Sequence, residues 1–287
     1  MTAVWGSTFV LIKHVLDRMS VTDFLAIRFT VAAVVMLLLF GKPVLRLGRP
    51  QLLQGLLLGV VYGAGQLLQT WGLSMIAPSV SGFVTGMYVV FTPMIATVLL
   101  RERMDGRVWL AVLLATGGLA LLSLNGLAVN NGVWLTLASA LLYGLHIVGL
   151  GKWSRSGESF GMSALQMVAI AIVCLLATAP HGPMLPPDAG AWLAVLYMAL
   201  VAGAGAMLMQ TWAQSHLPAA RAAIVMTTEP VFAAGFAVAF GSDLLSWRML
   251  VGGGLVLAAM YLVELMPRRG DGAGSNSLSA EAIHHEV

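Results

Sequence analysis

Charge and cysteine are what this chain has least of. Only 9% of its 287 residues are Asp, Glu, Lys or Arg, where soluble domains carry about 25%. The one cysteine, Cys174, lies inside an apolar run without a partner, which excludes a disulfide framework and a cysteine-built zinc site. The histidines are scattered, His284-His285 reads as solvated tail, and no nucleophile–base pair or metal-binding cluster stands out. Neither an enzyme nor a resident cofactor or metal is therefore expected. The first apolar run lacks a basic start and a small-residue cleavage site, so no cleavable signal peptide is read. Gly63-x-Gly65 and Gly203-x-Gly205 follow no strand pattern and are not nucleotide loops. No filter-like loop or ring of charges suggests a channel.

What fills the chain instead is apolar: 59% of residues, with a mean hydropathy of +0.90. A soluble domain of this length cannot hide so much apolar surface, whereas a bilayer can. The formal charge of +3 and pI near 9.3 do not point to nucleic acid. The basic residues fall in short loops between apolar runs, where they orient a membrane protein. The expected partners are the lipid bilayer and a small-molecule substrate.

One stretch occurs twice. Gln69-Thr70-Trp71 returns as Gln210-Thr211-Trp212, and the same offset matches Leu67 with Leu208, Val84 with Val225, Phe91 with Phe232, Arg107 with Arg248 and Leu114 with Leu255. It also sets Tyr88 against Glu229. Internal duplication of this kind marks secondary transporters, whose binding site lies between two related bundles.

Ten apolar segments can be drawn: 2–16, 24–40, 52–75, 78–100, 108–123, 133–151, 162–179, 191–214, 219–240 and 248–266. Several are short beside the roughly 20 residues a helix needs to cross the hydrocarbon core. Eleven loop cations fall on one side: Lys42, Arg46, Arg49, Arg101, Arg103, Arg107, Lys152, Arg155, Arg221, Arg268 and Arg269. Arg18 and Arg248 fall on the other. This bias assigns both termini to the cytoplasm. Each copy then holds five helices, and an odd number inverts the second copy relative to the first. The expected fold is an all-α membrane protein of ten transmembrane helices in two inverted five-helix repeats, residues 2–123 and 133–266. Residues 267–287, rich in Gly, Ser and charge, read as a disordered cytoplasmic tail. The glycine-rich last spans of each copy, with Gly117-Gly118 and Gly252-Gly253-Gly254, are expected to pack as a scaffold or as a homodimer surface.

Trp5-Gly6-Ser7-Thr8-Phe9 followed by Lys13 resembles the first-helix signature of EamA-type transporters in the drug/metabolite transporter superfamily. Arg28-Phe29 with Ala32-Ala33, Arg101-Glu102-Arg103, and Glu229-Pro230-Val231-Phe232 resemble that family's second helix, its loop after helix 4 and its ninth helix. The second copy departs at Asp243, where Glu is usual, and at Tyr143-Gly144, where Trp is common. The resemblance covers residues 3–266. It implies an alternating-access carrier in the inner or plasma membrane that exports small metabolites such as amino acids; the alternative is a multidrug or cationic-compound exporter of the same fold.

Ionisable groups within lipid are costly and face a cavity or a partner. Glu229, between Thr227-Thr228 and Pro230, is expected deep in the ninth span as a proton carrier or as an interhelical hydrogen-bonding group. Pro230 should free a carbonyl one turn earlier, near Met226. Arg28 either receives an anionic substrate group, snorkels, or pairs with Asp23. Lys13 is expected to snorkel. His146 falls opposite Thr8 when Trp5-Gly6 is set against Tyr143-Gly144, and reads as a proton relay or an interhelical partner. Gln69 and Gln210 read first as structural. Trp71 and Trp212 read as interface anchors or as aromatic cavity wall. The expected cavity is bounded by spans 1–4 and 6–9 and lined by Trp5, Thr8, Arg28, Tyr88, Tyr143, His146 and Glu229.

Overall fold

An apolar chain in lipid has no water to satisfy its amides, so each span must close its hydrogen bonds internally as a helix. The computed structural model follows that rule; it describes residues 1–100, 106–125, 128–155, 157–180, 182–216 and 226–264. In the first copy α1 is Thr2–Leu16, α2 Val21–Leu45, α3 Arg49–Met75, α4 Pro78–Gly86, α5 Tyr88–Leu100 and α6 Gly106–Ser123. Two-residue strands, Leu124–Asn125 and Ala128–Val129, pair antiparallel between the copies. The second copy holds α7 (Asn131–Trp153), α8 (Ser159–Thr178), α9 (Ala189–Ala199), a π-helical turn (Leu200–Gly205), α10 (Ala206–His216), α11 (Glu229–Ala239) and α12 (Trp247–Glu264).

Six of these helical stretches are long and apolar enough to cross a membrane, and four shorter apolar helices accompany them. The chain is a multi-pass helical membrane protein. Several helices begin two or three residues before the apolar runs do, and capping residues stand ahead of three of them: Ser20, Asn130 and Asp188. In α2 the backbone kinks at Phe40, three residues ahead of Pro43, whose ring removes an N–H and crowds the preceding turn. The loop Arg101-Glu102-Arg103, Arg221 and the tail from 267 lie outside the described residues.

Large apolar side chains point outward over the whole girth: Leu38 is 80% exposed, Leu113 70% and Leu193 69%. In water such a surface would aggregate; in lipid it is the favourable one. Inside, two buried clusters divide the molecule. One joins α1, α2, α8 and α9–α10 through Phe24, Phe29, Ile170, Met198 and Met207. The other joins α4–α7 and α12 through Val90, Ala111, Ala140, Val256 and Met260. Tyr62 of α3 packs against both. Helices α6 and α12 lie against each other, and a Cβ on Gly118 would come 2.5 Å from the Gly252 carbonyl oxygen, so only glycine admits this approach.

Candidate functional site

Between the two clusters lies a cavity of about 50 Å³, fed by one face of each neighbouring helix. Trp5, Thr8, Phe9 and Ile12 follow the i, i+3, i+4, i+7 pattern of a single helical face on α1. Tyr62, Gln66, Gln69 and Leu73 form the matching stripe on α3. Arg28 enters from α2, Thr85 from α4, Tyr88 from α5, Tyr143 and His146 from α7, Gln210 from α10 and Glu229 from α11. All seven residues singled out from the sequence therefore line one cavity. Span 7 does not reach it: Gln166 of α8 stands behind His146, its Oε1 2.7 Å from His146 Nε2.

The polar groups are tied unequally. Gln66 donates to the Tyr143 hydroxyl at 2.8 Å, Tyr143 donates to Gln69 Oε1 at 2.9 Å, and Gln69 donates to Thr85 Oγ1 at 3.0 Å. This chain laces α3, α7 and α4 together. The Tyr143 and His146 rings both tilt against Tyr62, with centroids 5.1 and 5.0 Å away. Trp5 donates its indole N–H to the Ala202 carbonyl at 2.9 Å, and Thr8 turns its hydroxyl back to the Trp5 carbonyl.

Tyr88 and Glu229, set against each other by the repeat, touch. The Tyr88 hydroxyl donates to Glu229 Oε2 at 3.2 Å and to the Met226 carbonyl at 3.3 Å. That carbonyl is the one Pro230 was expected to free. Glu229 is buried, but it is not deep within a helix: it opens α11 after a turn at Thr227–Thr228. The first copy breaks at the equivalent point, Met87, so that Tyr88 opens α5.

Arg28 is 4% exposed. Its Nε donates to the Met198 carbonyl at 3.2 Å, and its guanidinium carbon lies 4.9 Å from the Phe29 ring centroid. It neither snorkels nor pairs with Asp23. Five helical residues put the two on different faces, and Asp23 is held by Ser20 Oγ at 2.6 Å and the Met184 N–H at 3.1 Å. Among the described residues the single ion pair is Arg18–Asp188, on the surface. Lys13 is half-buried. Its ammonium donates to the Leu73, Ser74 and Ile76 carbonyls at 3.0, 2.9 and 3.1 Å, capping the C-terminus of α3. Trp71 and Trp212 are 37% and 49% exposed and are no part of the cavity wall.

Sequence reasoning passed over Tyr62, Gln66 and Gln210 as lining residues. A signal for the last was present: Val61-x-Gly63-Ala64-Gly65 matches Val201-x-Gly203-Ala204-Gly205 at an offset one residue shorter than that of the Gln-Thr-Trp triplets. The second copy thus holds one extra residue between its glycines and Gln210. One residue inserted into an α-helix is accommodated as a π-turn, and the π-helical turn lies at Leu200–Gly205.

A multi-pass bundle with a mid-molecule cavity holding both a guanidinium and a carboxyl has the form of a membrane carrier rather than of a soluble enzyme. The comparisons name the class further: residues 1–124 and 130–265 match the EamA-like transporter family, to which this chain belongs. An uncharacterized transporter of Archaeoglobus fulgidus is 31% identical over 262 residues, covering 91% of this chain and 82% of its own length. A protein of Streptantibioticus cattleyicolor named a probable terminal-alkyne amino-acid exporter is 25% identical over 266 residues, 91% of this chain and 89% of that one. A solved structure matches at TM-score 0.69 over 93% of this chain and 96% of the other, at 19% identity, a likeness of fold alone.

Proposed function

We propose that the protein is a secondary transporter of the inner or plasma membrane that exports amino acids or related small metabolites by alternating access. The single observation that carries this reading is that Arg28 and Glu229 line the same buried cavity without pairing with each other. A cation and a carboxyl kept apart inside lipid match a ligand that carries both charges. Its carboxylate would meet the Arg28 fork, and its ammonium would meet Glu229. The amino-acid exporter among the relatives supports the same class.

The two sequence copies, taken as inverted five-helix repeats over 2–123 and 133–266, supply two similar half-cavities that exchange access. At about 50 Å³ the cavity has room for a few waters, each needing about 10–15 Å³, and is far below the roughly 300 Å³ of a small ligand pocket. Substrate must therefore enter a wider conformation on either side of this one. Glu229 gives the coupling: a proton from outside displaces the ammonium from its carboxylate, travels inward on the carboxyl, and leaves to the cytoplasm before the next substrate binds.

The test uses the purified protein in liposomes with a pH gradient and radiolabelled L-amino acids. Glu229→Gln keeps volume and hydrogen bonding, so it should abolish uphill transport while substrate exchange continues. Unchanged uphill transport by a well-inserted Glu229→Gln protein would remove Glu229 from coupling. Transport of lipophilic cations in place of amino acids would assign the cavity to a cationic-compound exporter.

A further inference from the structure

The same triplet, Gln-Thr-Trp, faces the cavity from both copies, yet its two glutamines are in different states. Gln69 is saturated, accepting from Tyr143 and donating to Thr85. Gln210 is 3% exposed, lines the cavity, and its Oε1 has no hydrogen-bond partner. A buried amide oxygen left unpaired carries a desolvation cost that a packed membrane helix has no reason to retain.

The cause can be traced residue by residue. The repeat sets Met226 where Gln69 finds Thr85, so the hydroxyl oxygen that accepts from the Gln69 amide N–H is replaced by a thioether, a weak acceptor. It sets Trp5 where Gln69 finds the Tyr143 hydroxyl. Trp5 has a donor, but that donor is spent on the Ala202 carbonyl at 2.9 Å. Ala202 lies within the π-helical turn Leu200–Gly205, just ahead of the extra residue of the second copy. The Trp5 indole N–H is thus spent on backbone, and the Gln210 oxygen meets no donor.

We propose that Gln210 is a substrate-binding residue whose carboxamide oxygen accepts a hydrogen bond from an N–H donor on the ligand, while its counterpart Gln69 is structural. The inference rests on the reading of this cavity as the substrate site and adds to it a neutral contact for the ligand's amine. Arg28 and Glu229 supply charge; Gln210 supplies direction, since an amide oxygen accepts along defined lines where a charge attracts from all sides. A ligand bearing a carboxylate but no amine would leave this oxygen unpaired.

Two variants separate the glutamines without any ligand. Gln69→Met strands the Tyr143 and Thr85 hydroxyls and should lower the melting temperature of the purified protein by about 3 °C or more. Gln210→Met removes an unpaired buried acceptor and should leave the melting temperature unchanged or raise it. An equal fall in both variants would overturn the proposal.

Binding is then measured with L-leucine and its des-amino analogue 4-methylpentanoate. Gln210→Met should weaken L-leucine about tenfold and leave 4-methylpentanoate within about twofold. Met226→Thr restores the first copy's acceptor for the amide N–H while leaving the Gln210 oxygen free, and it should leave L-leucine within about twofold. L-Leucine binding unaltered in Gln210→Met would overturn the proposal. If the wild-type protein bound neither probe, the amino-acid reading of the cavity would fail, and the melting comparison would still decide whether Gln210 is free.

Discussion

The two Gln-Thr-Trp triplets of this chain sit at matching places and use their glutamines in opposite ways. Around the first, Gln66, Tyr143, Gln69 and Thr85 form a chain in which each amide or hydroxyl meets the next. Around the second, Gln210 keeps an unpaired oxygen, and Glu229 replaces the tyrosine that is its counterpart. Satisfied polar networks rigidify the helices that share them. The surroundings of the first triplet therefore behave as frame, and those of the second keep an acceptor with free valence. Tyr88 and Glu229 meet at 3.2 Å; residues related by the duplication touch there, and it is also where frame and reactive half join.

The comparison is tested most severely where the frame is tightest. A Cβ at Gly72 would run into the Thr136 hydroxyl and come 2.6 Å from the Gly132 carbonyl oxygen, so α3 and α7 meet there backbone to backbone. Its counterpart in the triplet's register is Ala213, which already carries a Cβ and is half-buried. Gly72→Val should cost about 3 kcal/mol, the top of the usual range for overpacking, because backbone cannot step aside as a side chain can. Ala213→Val should cost far less. Thermal unfolding of both variants in detergent checks this, and equal losses would mean that the two contacts are equivalent.

A smaller effect separates the two aromatic residues that open the paired motifs. Tyr143→Phe deletes one hydroxyl but strands two partners, the Gln66 amide N–H and Gln69 Oε1, and should cost about 1–2 kcal/mol. Trp5→Phe loses a single bond to the Ala202 carbonyl and should cost about half as much. Unfolding in detergent again reads the difference. If Trp5→Phe proved the costlier, the surroundings of the second triplet would be the frame.

Lipid imposes composition, and so the helical spans were legible as apolar runs. Partners were legible only where they are close in sequence or share the duplication. Tyr88 and Glu229 could be matched by offset before any contact was known. Asp23 looked like a partner for Arg28 because five residues separate them, but helical geometry turns them apart, and Arg28 finds the Met198 carbonyl far along the chain. Lys13 was unreadable for a similar reason: the carbonyls it caps belong to the end of another helix. The break at Met87 has no proline beside it and is held by tertiary contacts, whereas the one at Thr228 is marked by Pro230 in the first turn of α11. Gln210 was read as structural because its sequence matches that of Gln69. Its freedom depends on the donor that Trp5 spends on Ala202, and a triplet match does not record the residues around it.

The smallest difference between the copies lies at a helix start. Gly48 precedes α3 with no side-chain cap, while its counterpart Asp188 caps α9, accepting the Ala191 N–H at 2.9 Å and pairing with Arg18 at 2.9 Å. The Ala191 N–H, with Arg18 behind it, holds the Asp188 carboxyl below its ordinary value near 3.8. A depressed folded value means that the charged form stabilises the fold. That contribution is complete above the ordinary carboxyl range and is lost as pH falls through the lowered one. Asp188→Gly makes the second copy like the first and should lower the melting temperature only slightly, since both partners of the ion pair are exposed to water and screened. The difference between wild type and variant should hold constant from pH 8 to pH 6, then close below about pH 4. A difference that persisted undiminished at the lowest pH would assign the effect to glycine's backbone freedom, and the two helix starts would then differ in flexibility rather than in charge.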